Sequence, residues 1–246
     1  MSILTQGHRT QPVKATPPLA GPDKRAAFDH YWETRDLCTV DLRTRLRIAI
    51  VEAMVGGRRG TLLDVGCGRG SVAAHFAELG HNVTAVDISP LAIQWTERQH
   101  PLIKAAVLDL ECEPLTGSFD TILCLEVLQQ VRDPVAVLGK LREALAPSGS
   151  LIVSLPNEFH LARRLSILLG RVNFGGIDDT HLKLYTPAEH RRLFAVCGLE
   201  VVRSESQSII PPRWRDGAIH HAANPVANRL PGLLALSTVY ELHPKS

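Results

Sequence analysis

The chain reads as an α/β protein with a mainly parallel sheet, and three observations carry that expectation. Short β-branched apolar runs alternate with amphipathic stretches over most of its length, the pattern of strand-helix-strand units. One such run breaks into a glycine-rich turn that enters a helix directly. Proline or capping residues open successive helical stretches, at Pro90, at Asp133-Pro134 and at Thr186-Pro187. With 246 residues, of which 45% are hydrophobic, there is enough chain for one domain with a full core.

Residues 1–23 carry Pro12, Pro17, Pro18 and Pro22 among polar and small residues without a hydrophobic period, so a mobile tail is expected there. The domain proper should occupy residues 24–246. It opens with helices over residues 24–57, first a stretch with Phe28, Tyr31 and Trp32 clustered. A longer helix follows over about residues 41–54, where Leu42, Leu46, Ile50 and Met54 recur at a spacing of four. Gly56-Gly57 ends it.

The decisive stretch is Leu62-Leu63-Asp64-Val65-Gly66-Cys67-Gly68-Arg69-Gly70. Glycine tolerates positive φ and has no Cβ, so Gly66, Gly68 and Gly70 let a ligand lie against bare backbone before a helix over residues 71–79. In a dinucleotide fingerprint the third glycine would fall at position 71, which is Ser71. The spacing here is Asp-x-Gly-x-Gly-x-Gly, led by Asp64. After the turn Gly80-His81-Asn82 comes Val83-Thr84-Ala85-Val86-Asp87, a strand ending in a carboxylate about twenty residues past the glycines. A third strand is expected over residues 106–110, a fourth from Phe119 and a fifth after the turn Pro147-Ser148-Gly149. Taken singly, each feature has a plainer reading. The glycines could be an ordinary strand-to-helix turn, Asp87 a helix N-cap and Asp109 a strand terminator.

Together and in order, these pieces resemble the class I S-adenosylmethionine-dependent methyltransferases. The resemblance implies a Rossmann-like three-layer sandwich with a seven-stranded, mostly parallel sheet and an antiparallel last strand. It implies S-adenosyl-L-methionine as cofactor, held by Asp64, Gly66, Cys67, Gly68, Asp87, Ile88, Asp109, Leu110 and Leu125. In that family Asp87 would accept the ribose hydroxyls, and Asp109 would receive the adenine amine.

Beyond the fifth strand, Leu155-Pro156-Asn157 leads into an insertion over residues 157–185 that contains Asp178-Asp179-Thr180-His181 and closes at Tyr185-Thr186-Pro187. This resembles a bacterial subgroup linked to ubiquinone methylation, cell-surface sugars and methionine biosynthesis. It implies a lid over the acceptor, with Tyr31, Trp32, Gln130, Asn157, Asp178, His181 and Tyr185 as candidate acceptor contacts. Glu189 completes a capping box with Thr186. Late strands are expected over residues 199–202 and 237–242. One departure bears on mechanism: the subgroup often has Glu-His where this chain has Gln129-Gln130, and an amide cannot act as a general base. His181 is then the first candidate base and Glu126 the second. The alternative for His181 is a structural histidine bonded to Asp178.

A formal net charge of +2 and the absence of an aromatic-interleaved basic stripe argue against a nucleic-acid partner. Five cysteines without a C-x-x-C pair fit reduced thiols, and no run of about 20 apolar residues suggests a membrane span, so a cytoplasmic location is expected. His220-His221 and His243 lack partners at ligand spacing, so no metal is expected. The expected reaction is methyl transfer to O, N or S of a small molecule by a monomer or homodimer. A macromolecular acceptor and a non-catalytic binding role are the alternatives. Arg163, Arg164, Arg171 and Lys183 would suit an anionic acceptor.

Overall fold

The computed structural model describes residues 23–34, 40–171, 180–208 and 217–245. Asp178 and the glycine pair Gly175-Gly176 therefore lie outside the described residues, as do Cys38 and residues 1–22. Helices α1 (Asp23–Glu33) and α2 (Leu42–Val55) precede β1 (Thr61–Val65), α3 (Ser71–Glu78), β2 (Asn82–Asp87), α4 (Pro90–Gln99), β3 (Lys104–Val107) and β4 (Phe119–Leu125). There follow α5 (Pro134–Glu143), β5 (Leu145–Pro156), α6 (Leu161–Leu168), α7 (Pro187–Val196), β6 (Leu199–Ser208), α8 (Gly217–Arg229), α9 (Pro231–Leu234) and β7 (Ala235–Pro244). The strands form one seven-stranded sheet in the order β3-β2-β1-β4-β5-β7-β6. β1 to β5 run parallel, and β7 runs antiparallel to both β5 and β6.

Side-chain alternation builds the layers. Leu63, Ile122, Leu151 and Val153 point to one face, where α5 and α7 bring Leu138, Leu141 and Phe194. Their neighbours Leu62, Leu123 and Ile152 point to the other, against Val51 and Met54 of α2 and Phe76 of α3. Both faces are covered, which is why these strands read as nearly unbroken apolar runs.

Two boundaries differ from the sequence expectation, and one plainer alternative is excluded. β3 ends at Val107, and Asp109 stands instead in a turn where its Oδ1 accepts from the Glu111 backbone N–H at 3.0 Å. The helical pattern after Pro134 extends to about Ala146, but α5 stops at Glu143. Pairing of Leu145 with Phe119 and a bond from Phe119 N–H to the Ala144 carbonyl draw the chain into the sheet at that point. Ser89, not Asp87, caps α4, its hydroxyl accepting from the Ala92 N–H at 3.1 Å. The Thr186 and Glu189 capping box of α7 is formed on both sides. Among the described residues no helix is long and apolar enough to cross a membrane.

Candidate active site

A cavity of about 510 Å³ opens at the carboxyl ends of β1, β2 and β4. That is where the sheet order reverses, between β1 and β4, the place such sheets offer for a ligand. Gly66, Gly68 and Gly70 have φ of 65°, 54° and 74°, left-handed values that suit glycine. Space is as restrictive as conformation. A Cβ on Gly66 would lie 2.4 Å from Val127, and one on Gly68 would lie 2.5 Å from the Trp32 ring. The turn is thus glycine-rich partly because the protein's own side chains close over it.

Two carboxylates lie beneath the turn. Asp87, at the end of β2, accepts from the Gly68 N–H and the Ser89 N–H, each at 2.9 Å. Burial raises its pKa, and these backbone bonds oppose the rise. Asp64 is 2% exposed, and its Oδ2 has no hydrogen-bond partner among the described residues. Burial, with the Asp87 charge adding to it, pushes the Asp64 carboxyl up to about 7. A buried carboxylate oxygen without a partner is costly, and both acids line the cavity, so a cationic group of a ligand would satisfy what the protein leaves open.

Helix α1 roofs this end. Phe28, Tyr31 and Trp32 all line the cavity, the Tyr31 and Trp32 rings meeting edge-to-face at 5.1 Å. Arg69 stacks 4.5 Å from the Trp95 ring centroid and donates to the Trp32 carbonyl at 2.8 Å. Lys24 is ion-paired with Glu111 and lies 3.5 Å from Asp109. Ile88, Asp109 and Leu110 line the same end, as do Cys67 and Leu125.

Across the cavity the backbone of Glu126 is left-handed, with φ of 59°. A non-glycine residue held there costs about 1–3 kcal/mol and needs neighbours that enforce it. Ser154 of β5 does so at both ends of the residue: its carbonyl accepts from the Glu126 N–H at 3.1 Å, and its hydroxyl donates to the carboxylate at 2.9 Å. Arg47 of α2 lies 3.4 Å from the same carboxylate. Beside it, the His181 ring enters the cavity. Its Nδ1 is 2.9 Å from Glu158 Oε1 and its Nε2 is 3.4 Å from the Gln129 amide nitrogen. Gln130 lines the cavity and donates to the Thr180 hydroxyl at 3.0 Å.

Comparison with known proteins agrees with this geometry. A family profile for a methyltransferase domain matches residues 31–204. The chain belongs to that methyltransferase family. A ubiquinone biosynthesis O-methyltransferase of Xanthomonas oryzae pv. oryzae is 31% identical over 168 residues, 65% of this chain and 70% of that one. The 1,6-didemethyltoxoflavin-N1-methyltransferase of Burkholderia thailandensis, solved with 1,6-didemethyltoxoflavin and S-adenosylhomocysteine, superposes with a TM-score of 0.62 at 23% identity, covering 96% of this chain and 94% of its own. Magnesium protoporphyrin IX methyltransferase from Synechocystis, solved with SAH, gives 0.60 at 17% identity over 91% and 96%. At these identities the two structures share the fold.

In the methyltransferase the residues expected at the donor end, from Asp64 to Leu125, come together around one cavity with His181, Glu126 and Gln130. Trp32 stands against Gly68, nearer the donor end than the acceptor role expected of it. Asn157 and Tyr185 do not line the cavity. The Asn157 amide donates to the carbonyls of Pro231 and Ala235, each at 3.0 Å, which ties β5 to the segment before β7. Tyr185 packs against the core below α7. The expected cations lie elsewhere too: Arg163 pairs with Glu158, and Arg164 donates to the Phe159 carbonyl. Lys24, Arg43, Arg47 and Arg69 line the cavity instead. His243 bonds Ser150, whereas the His220 and His221 side chains lie outside the described residues. Sequence reasoning passed over Glu158 and Arg47, and gave Gln129 no role beyond its departure from the Glu-His pair. Its one available signal was that Glu158 follows the carboxyl end of a parallel strand, the edge that delivers site residues.

Proposed function

We propose that this methyltransferase uses S-adenosyl-L-methionine to methylate a hydroxyl oxygen of a small molecule. One observation carries the reading: the His181 imidazole and the glycine turn with its two acids line a single cavity. Asp87 would take the ribose hydroxyls, and the unpartnered oxygen of Asp64 would face the ammonium of the methionine moiety. Asp109 and Leu110 would flank the adenine. When bound, the cofactor supplies a methyl group already activated on sulfur. The chain's own part is to hold both partners in line, exclude water and receive a proton, which can contribute several kcal/mol without a covalent intermediate.

A hydroxyl is favoured over an amine or thiol because it is the acceptor that most needs a base, and a histidine lining the cavity supports that role for His181. The 31% identity to a ubiquinone biosynthesis O-methyltransferase supports the same acceptor atom. The described flanks of the insertion, residues 157–171 and 180–185, would act as the cover of the cavity, the second carrying His181. Incubation with methyl-labelled cofactor and size-matched phenols, amines and thiols tests the reading. Label is expected on the hydroxyl compounds. Label appearing only on amines or thiols, or only in protein or RNA, would overturn it.

A further inference from the structure

Glu158 is almost completely enclosed, and its side chain is 8% exposed. One carboxylate oxygen lies 2.9 Å from His181 Nδ1, and the other lies 3.2 Å from an Arg163 guanidinium nitrogen whose side chain is equally buried. Buried ion pairs are weak contributors to stability compared with apolar packing of the same volume. A plain hydrogen bond to any carbonyl would pin the ring as well. Such a bond fixes the same tautomer, with hydrogen on Nδ1; what a carboxylate adds is its negative charge, which favours the protonated ring.

The other side of the ring supports the same tautomer. The Gln129 side-chain nitrogen donates to the Glu126 carbonyl at 2.9 Å, which fixes the amide with its N–H groups towards that side. The same nitrogen lies 3.4 Å from His181 Nε2, an approach that favours a lone pair on the ring nitrogen facing it. The Gln129 backbone carbonyl also accepts from the Leu182 and Lys183 N–H groups at 2.8 and 3.1 Å, which holds the strand of chain that bears the histidine. Two neighbours from distant parts of the sequence thus favour one state: hydrogen on Nδ1, lone pair on Nε2 at the cavity.

Resting on the reading of His181 as the proton acceptor, we propose that Glu158 is its positioning residue, fixing that tautomer and stabilising the imidazolium formed during transfer. The acceptor hydroxyl passes its proton to Nε2, and the electron pair of the broken O–H bond forms the new bond to the methyl carbon. The pair of the C–S bond returns to sulfur, and His181 later releases its proton to water.

The test combines nitrogen-15 NMR of the histidine rings in the full chain with kinetics of Glu158→Gln, Glu158→Asp and His181→Gln. Wild-type His181 is expected as the Nδ1–H tautomer. Glu158→Gln should mix the tautomers and lower kcat roughly 10²-fold while KM and cofactor Kd stay within about twofold, and Glu158→Asp should recover part of the rate. A wild-type ring protonated on Nε2 alone would overturn the proposal even if Glu158→Gln failed to fold, and so would a folded Glu158→Gln variant with the wild-type rate. The parent reading fails differently: His181→Gln would then keep the wild-type rate. A slow His181→Gln beside a fast Glu158→Gln would discard only the role of Glu158.

Discussion

The two ends of the cavity are built in opposite ways. The proposed donor end draws chiefly on residues 64–110, a run of strand, turn and helix in which the strands deliver side chains at their carboxyl ends, with Leu125 and helix α1 closing it. The proposed acceptor end is assembled from Arg47 on α2, Glu126 and Gln129 after β4, and His181, held by Glu158 from the end of β5. A local motif can specify the first with neighbouring residues. The second exists only once the sheet and helices have brought distant segments together. Variants at one end should therefore move cofactor affinity and spare the chemistry, and variants at the other should do the reverse.

The largest effect is expected from Gly68→Val. A β-branched residue is a poor fit to φ of 54°, and its Cβ would start 2.5 Å from the Trp32 ring. Calorimetry should detect no cofactor binding while circular dichroism keeps the α/β spectrum. Normal binding would break the comparison at the donor end.

At the acceptor end, His181→Ala should lower turnover by roughly 10²–10⁴-fold with an unchanged cofactor Kd. Loss of cofactor affinity on the same scale would show that the two ends are not separable.

A smaller shift is expected from Asp87→Ala, which removes the partner of the Gly68 and Ser89 N–H groups as well as the proposed ribose contact. Cofactor binding should weaken by ~1–3 kcal/mol. Unchanged affinity in a folded variant would take Asp87 out of the donor end.

The mildest test uses pH. In the free protein the Asp64 carboxyl sits at about 7, so it holds a proton in more acidic solution. A bound ammonium favours the carboxylate, and binding must then expel that proton. Cofactor affinity should fall as pH drops below about 7, by up to about tenfold per pH unit, and should level off above it. Asp64→Asn should flatten this slope. The raised folded-state value also means that ionised Asp64 opposes folding, so Asp64→Asn should melt higher than the wild type at alkaline pH. A steep slope that survives in Asp64→Asn would assign the pH dependence to another group.

The same division marks how far the sequence could be read. Asp-x-Gly-x-Gly-x-Gly and the acid after the second strand were legible because backbone conformation and strand ends are local matters, set by residues within one strand and its turn. Thr186, Pro187 and Glu189 were legible for the same reason, since a capping box closes within three residues. Asn157 was not. Its side chain bonds carbonyls of Pro231 and Ala235, and nothing near residue 157 in sequence signals that partner. Arg163 and Arg164 looked like ligands for an anion, but the first neutralises Glu158 and the second caps a carbonyl.

By itself, the sequence determined the α/β class, the glycine turn, the acids at the ends of β1 and β2, and most helix starts, because each rests on period, propensity or capping within a few residues. Tertiary structure alone decided that Trp32 closes over Gly68, that Ser154 holds Glu126 in a left-handed conformation, and that Glu158 and Gln129 grip His181 from opposite sides. These pairings join residues 23 to 52 positions apart, and only the packing of the sheet and its helices brings such pairs within hydrogen-bond reach.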